Sequence, residues 1–162
     1  MDKCSASPVP IQKGDKLSIK QCPHIELERK QMEHIPYASI VGSLMYTRTC
    51  TRPNISFAVG FLGKYQSNPG MNHLRAAKKV LRYLQGMKEH MLTYKRSDYL
   101  EVIGYLDSNF VGCVDIKKST FGYIFLLTRR AVLWKSAKQS VIVASTIETE
   151  FVACFEATVQ GF

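Results

Sequence analysis

The chain has 162 residues and a mass of 18.4 kDa, with 46% hydrophobic and 22% charged residues, proportions that suit one globular domain or two small ones and exclude wholesale disorder. No apolar run approaches the ~18 residues of a membrane span, and the N-terminus lacks the apolar core of a secretory signal. The expectation is a soluble intracellular protein, cytoplasmic or nuclear, with no membrane partner.

Net charge is +9 and unevenly spread. Residues 1–95 hold fifteen Lys and Arg against six Asp and Glu, whereas residues 96–162 hold seven of each. A basic segment joined to a neutral one fits a polyanion partner, most simply nucleic acid, and equally fits a merely basic surface. The five cysteines are scattered, which argues for a reducing compartment rather than a disulfide framework. Cys22-Pro23-His24 is the one close Cys/His pair, and without a second pair it reads as an incidental loop feature rather than a zinc site.

In chain order, residues 1–35 carry Pro8, Pro10, Gly14 and Pro23 with little periodic apolarity, and read as an extended linker or arm with room for a short helix around 26–34. Three helical patterns follow. Ile40, Val41, Leu44 and Met45 form a stripe between Pro36 and Thr49. The second pattern opens at Pro53, carries Ile55, Ala58, Val59, Leu62 and Tyr65, and stops at Ser67-Asn68-Pro69-Gly70. The third, Met71 to Glu89, places Leu74, Ala77, Leu81 and Leu84 on one face. Arg75, Lys78, Lys79 and Arg82 form a basic ridge on another. A solvated face explains such a ridge; so does contact with a phosphate backbone.

After Met91 the pattern changes. Met91 to Tyr94, Leu100 to Leu106, Thr120 to Thr128 and Ala131 to Lys135 read as strands; the last three form an antiparallel meander broken at Arg129-Arg130. A final helix starts near Ser145, where Ser145 and Glu148 match a capping box, and its apolar face is Ile147, Phe151, Cys154 and Phe155.

Two carboxylates stand out. Asp107 ends a strand on the side of Ile103 and Tyr105, where a half-buried acid needs a partner, unless it is simply a turn residue. Glu150 falls within the apolar stripe of the last helix, while Glu148 is explained as a cap. An acid on a strand facing an acid on the following helix could hold a divalent cation, as half of a two-metal phosphodiester site.

The chain also resembles the C-terminal part of copia-type LTR retrotransposon Pol polyproteins, from the end of reverse transcriptase into ribonuclease H. The resemblance rests on ordered blocks. They are Tyr37-Ala38-Ser39-Ile40-Val41-Gly42-Ser43-Leu44-Met45-Tyr46, Cys50-Thr51-Arg52-Pro53-Asn54-Ile55, Tyr65-Gln66-Ser67-Asn68-Pro69-Gly70 and Ala76-Ala77-Lys78-Lys79-Val80-Leu81-Arg82-Tyr83-Leu84. Gly104-Tyr105-Leu106-Asp107-Ser108, Lys118-Ser119-Thr120-Phe121-Gly122-Tyr123, Leu133-Trp134-Lys135-Ser136 and Ser145-Thr146-Ile147-Glu148-Thr149-Glu150-Phe151-Val152-Ala153 continue the series.

The resemblance implies an α+β chain: a linker over 1–35, a thumb-like helical region over 36–95, and the N-terminal half of a ribonuclease H-like domain over 96–162, with three antiparallel strands and the first helix. It implies groove-facing roles for Gly42 and Tyr46, phosphate contacts for Arg75, Lys78, Lys79 and Arg82, and catalytic, magnesium-binding roles for Asp107 and Glu150. The implied partner is an RNA–DNA hybrid or another duplex, and the implied chemistry is two-metal hydrolysis. The family's third and fourth catalytic aspartates would lie beyond Phe162. Asn109 and Cys113 stand where relatives carry Asp, and Arg129-Arg130 replace a glycine-rich turn. The expectation is therefore a fragment inactive alone, with two alternatives: a non-catalytic nucleic-acid-binding module, or a chain that acts by pairing with a complementary half or with itself.

Overall fold

A computed structural model of the chain describes residues 5–12, 15, 17–109 and 118–161. The chain divides into two compact units, Met1–Met91 and Leu92–Phe162. The first is helical, with α1 (Glu26–Glu33), α2 (Tyr37–Cys50), α3 (Ser56–Leu62) and α4 (Met71–Gly86). The second carries β1 (Val102–Asn109), β2 (Thr120–Leu127), β3 (Arg130–Lys138) and α5 (Thr146–Gly161). The whole is α+β, with five α-helices and one three-stranded antiparallel sheet among the described residues. Residues 91–94, expected as a strand, form none; instead the Tyr94 phenol donates to the Ala131 carbonyl at 2.6 Å. Cys4 and Cys113 lie outside the described residues.

The helical stripes meet in one core. Val41 and Leu44 of α2, Ala58, Val59 and Leu62 of α3, and Leu74, Ala77 and Val80 of α4 are all buried together with Ile55 and Tyr65. Pro53 opens a 3-10 turn, Pro53–Ile55, ahead of α3, because its fixed φ suits a first turn and its missing N–H is not needed there. Tyr37 is fully buried and its hydroxyl donates to the Leu62 carbonyl at 3.1 Å; burial pushes that phenol well above its ordinary pKa. At the start of α4 the Gly70 N–H donates to Nδ1 of His73 at 2.9 Å, and the buried His73 ring stacks on Tyr65 at 4.1 Å. Gly70 is required there, since a Cβ would run into the Gln21 backbone carbonyl.

The N-terminal segment is not a free arm. Leu17, Cys22 and Met32 are buried in the helical core, and α1 forms where the mixed charge run lies. The Ser7 N–H donates to the Arg82 carbonyl at 3.4 Å, and Asp15 pairs with Lys79 at 2.6 Å. The arm reading fails because scattered apolar residues without periodicity, each too isolated to signal an element, still find pockets between helices.

In the second unit the strand order is β1-β2-β3. The β2–β3 loop has two residues, Thr128 and Arg129, at φ 51° and 63°. Positive φ at both central positions is the geometry that Asn-Gly turns adopt at little cost, so Thr-Arg holds it under local strain. At the start of α5, Ser145 Oγ accepts the Glu148 N–H at 3.2 Å and the Glu148 carboxylate accepts the Ala144 N–H at 2.8 Å, a close variant of the expected capping box.

The face of α5 is the opposite of the expected one. Thr149, Ala153 and Ala157 point to the sheet, and the two alanines pack with Phe121 and Tyr123. The Gln139 amide, fully buried, donates to the Thr149 carbonyl, and the Ser119 and Thr149 hydroxyls meet at 3.4 Å. Ile147, Phe151, Cys154 and Phe155 face solvent. Two stripes share the helical period, and the small-residue stripe allows the closer approach to the pleated surface.

Replacing Thr128-Arg129 by Asn-Gly is expected to stabilise the chain by about 1 kcal/mol, read as a higher midpoint in urea denaturation. The Lys79 ammonium beside Asp15 holds its carboxyl below the ordinary value of 3.8. That contribution is therefore complete above the ordinary carboxylate range and is lost as pH falls through the lowered native value. Asp15→Asn is expected to cost up to about 1 kcal/mol at neutral pH and nothing in acid where the carboxylate is protonated, measured by denaturation across pH.

Candidate nucleic-acid interface

The basic ridge lies on α4, where three- and four-residue steps place Arg75, Lys78, Lys79 and Arg82 along one side. Its members differ in availability. Arg75 and Lys78 are exposed, and Arg75 Nη1 donates to Asn72 Oδ1 at 3.2 Å, which steadies the guanidinium without neutralising it. Lys79 is half-buried and occupied by Asp15. Arg82 is half-buried, with its Nε enclosed and without a hydrogen-bond partner. Two cations of the expected four are thus exposed toward a polyanion, Lys79 is engaged by Asp15, and Arg82 is half-buried. Sequence reasoning missed Asp15, because nothing local couples it to a lysine 64 positions away.

Gly42 and Tyr46 lie one turn apart on α2, in the same unit. A Cβ at Gly42 would meet nothing within 4 Å, so the backbone of α2 is open to close approach there. Tyr46 is 74% exposed. Its phenol hydrogen-bonds with the Cys50 thiol, which raises its pKa above the ordinary value. Ser43 and Thr47 turn their hydroxyls back to the carbonyls of Ser39 and Ser43, at 3.0 and 2.8 Å, leaving a smooth outer surface of small side chains around Tyr46. A cleft of about 310 Å³ beside the start of α4 is lined by Lys20, His24, Glu28 and Asn72 together with Cys22, Pro23 and Met71, a mixed set of charged, polar and apolar side chains.

The two carboxylates occupy different surroundings from those expected. Both Asp107 and Glu150 are exposed, so burial does not single them out. Asp107 pairs with Gly122 across β1 and β2, while its neighbours Leu106 and Ser108 pair with Tyr123 and Phe121. Directly paired residues share a face, so Asp107 lies on the face of the sheet away from α5. Among the described residues no group of three or more His, Cys, Asp or Glu is placed to hold a metal ion. Two exposed acids on different faces do not by themselves fit a resident magnesium ion, which needs near-octahedral oxygen ligation. No helix of the described residues is long and apolar enough to cross a membrane.

No protein-family model matches the chain. No solved structure matches it either. Among curated proteins it is 41% identical over 154 residues to the retrovirus-related Pol polyprotein from transposon TNT 1-94 of Nicotiana tabacum, a match covering 94% of this chain and 12% of the polyprotein. It is 40% identical over 115 residues to the Pol polyprotein from transposon RE1 of Arabidopsis thaliana, covering 71% of this chain and 8% of that one. It is also 40% identical over 130 residues to the secreted RxLR effector protein 161 of Plasmopara viticola, of which it covers 92%. The chain therefore spans only a small part of the Pol polyproteins that it matches along most of its own length. Along most of its own length, and across both units, the chain is thus similar to retrovirus-related Pol polyproteins from transposons.

Proposed function

We propose that the chain is the part of a copia-type Pol polyprotein that runs from the end of reverse transcriptase into ribonuclease H, and that its helical unit binds a nucleic-acid duplex. The observation that carries this reading is the charge: the whole +9 lies in residues 1–95, and Arg75 and Lys78 present it on one exposed side of α4. Exposed helical cations spaced three residues apart can follow a phosphate backbone and release its condensed counterions. Gly42 and Tyr46 suit a second contact, since an open backbone and a flat aromatic side chain fit a groove wall without demanding a base sequence.

The second unit is read as the opening half of a ribonuclease H-like domain. Asp107 and Glu150 are its catalytic candidates by family resemblance alone, and with two exposed acids the chain is expected to bind without cutting. No hydrolytic step is assigned to it.

Binding of a labelled RNA–DNA hybrid across a salt series, in magnesium, tests this reading. Arg75→Gln with Lys78→Gln is expected to lower affinity at least tenfold and to reduce the slope of log affinity against log salt by roughly one to two. Salt-independent binding, or none in a folded sample, would overturn it. Cleavage of the hybrid that disappears with Glu150→Gln would instead establish the hydrolytic reading.

A further inference from the structure

We propose that residues 5–15 form a strap that competes with the nucleic-acid duplex for α4, the Asp15 carboxylate standing on Lys79 where a phosphate would otherwise sit. This rests on the duplex reading above, and adds to it a concealed third contact and the segment that conceals it. Strap and helix both belong to the first unit. Ala6 lies against Gly86, where a Cβ would come within 2.9 Å of the Ala6 methyl group. The Ser7 N–H donates to the Arg82 carbonyl at 3.4 Å, and Lys79 Nζ donates to Asp15 Oδ2 at 2.6 Å.

The positions that the strap touches continue the basic ridge. Arg75, Lys79, Arg82 and Gly86 follow one another at steps of four, three and four, so they share one side of the helix. A phosphate backbone that tracks this side from the exposed Arg75 reaches Lys79 next, about 6 Å along the axis. There it meets Asp15, the one acid among residues 5–25. The carboxylate is held in place by a local turn. Asp15 Oδ2 also accepts the Gln12 N–H at 2.8 Å, and the Asp15 N–H returns to the Gln12 carbonyl at 2.9 Å. That turn aims the acid at the lysine.

The strap is held lightly enough to exchange. Ala6, Pro8, Val9 and Gln12 are exposed, Ser7 and Ile11 are half-buried, and the first fully buried side chain among the described residues is Leu17. The Lys79 and Asp15 side chains remain 16 and 31% exposed, so water and salt weaken their pairing. A duplex brings several phosphates at once and gains the release of its condensed counterions, so it outcompetes a single carboxylate. The contact at Lys79 stays closed until the strap leaves, and apparent affinity is scaled down by the fraction of chains in which it has left.

The test is RNA–DNA hybrid binding by the full chain and its variants across a salt series. Asp15→Asn is expected to tighten binding roughly threefold or more at low salt, and to steepen the slope of log affinity against log salt by about 0.9, the value of one phosphate contact. Glu33→Gln removes an exposed acid from α1, changes the formal charge equally, and should leave the slope unchanged. In a Lys79→Gln background the gain from Asp15→Asn should vanish. Wild-type binding that Asp15→Asn leaves unaltered, a slope change matched by Glu33→Gln, or a gain that survives Lys79→Gln would overturn the strap while the duplex reading stands. Absence of binding by the wild type and Asp15→Asn alike, in folded samples, would overturn both. Should a variant unfold, hydrogen exchange on the wild-type chain decides: the Gln12 amide must exchange faster at saturating hybrid, and unchanged or slower exchange would refute the displacement.

Discussion

Helix α5 can approach its sheet only because the side it turns inward is small. Thr149, Ala153 and Ala157 let the helix backbone come down onto Phe121 and Tyr123, and the buried Gln139 amide reaches the Thr149 carbonyl across that contact. A Phe or Ile on that side would hold the helix off the pleated surface and leave Gln139 without its acceptor. The consequences run through the second unit. Once the small stripe is buried, the apolar stripe one half-turn away must face outward, and Glu150 goes with the outer surface. The exposure of these large apolar side chains is thus a by-product of close packing on the opposite side of the helix.

The helical unit is governed by a different constraint. Its core is a set of aliphatic stripes closed by Tyr37, whose hydroxyl donates to the Leu62 carbonyl, and by the Tyr65–His73 stack, where Nδ1 of His73 accepts the Gly70 N–H. The N-terminal segment completes that core by contributing Leu17, Cys22 and Met32, and in doing so brings Asp15 against Lys79. Formal charge therefore overstates the field α4 presents. A basic ridge of four is, in the folded unit, an exposed pair beside a lysine engaged by Asp15 and a half-buried arginine.

Sequence similarity and geometry bear on different questions. The Pol relatives say what the chain is similar to, and it covers only about an eighth of the Nicotiana polyprotein. The geometry says what the described surfaces present: two exposed cations and an open helix backbone in one unit, and an exposed apolar helix face in the other. Neither surface is a concave site with convergent reactive groups.

Local pattern was enough to place α2, α3, α4, β2, β3 and α5, because apolar periodicity of 3.6 or 2 and the Pro and Ser signals at element starts are set by neighbours in the chain. The core stripes of α2, α3 and α4 were legible for the same reason. What the sequence could not settle was every choice between two faces or two partners. On α5, a small stripe and a large apolar stripe have equal periodicity, and only the distance of closest approach to the sheet selects the small one. For Asp107, the strand alternation was visible, but which face would carry the helix depended on the β1–β2 register. For Lys79, exposure depended on an aspartate brought back from residue 15 by the packing of Leu17. Those are outcomes of contacts between residues remote in sequence, and they exist only once the chain has folded.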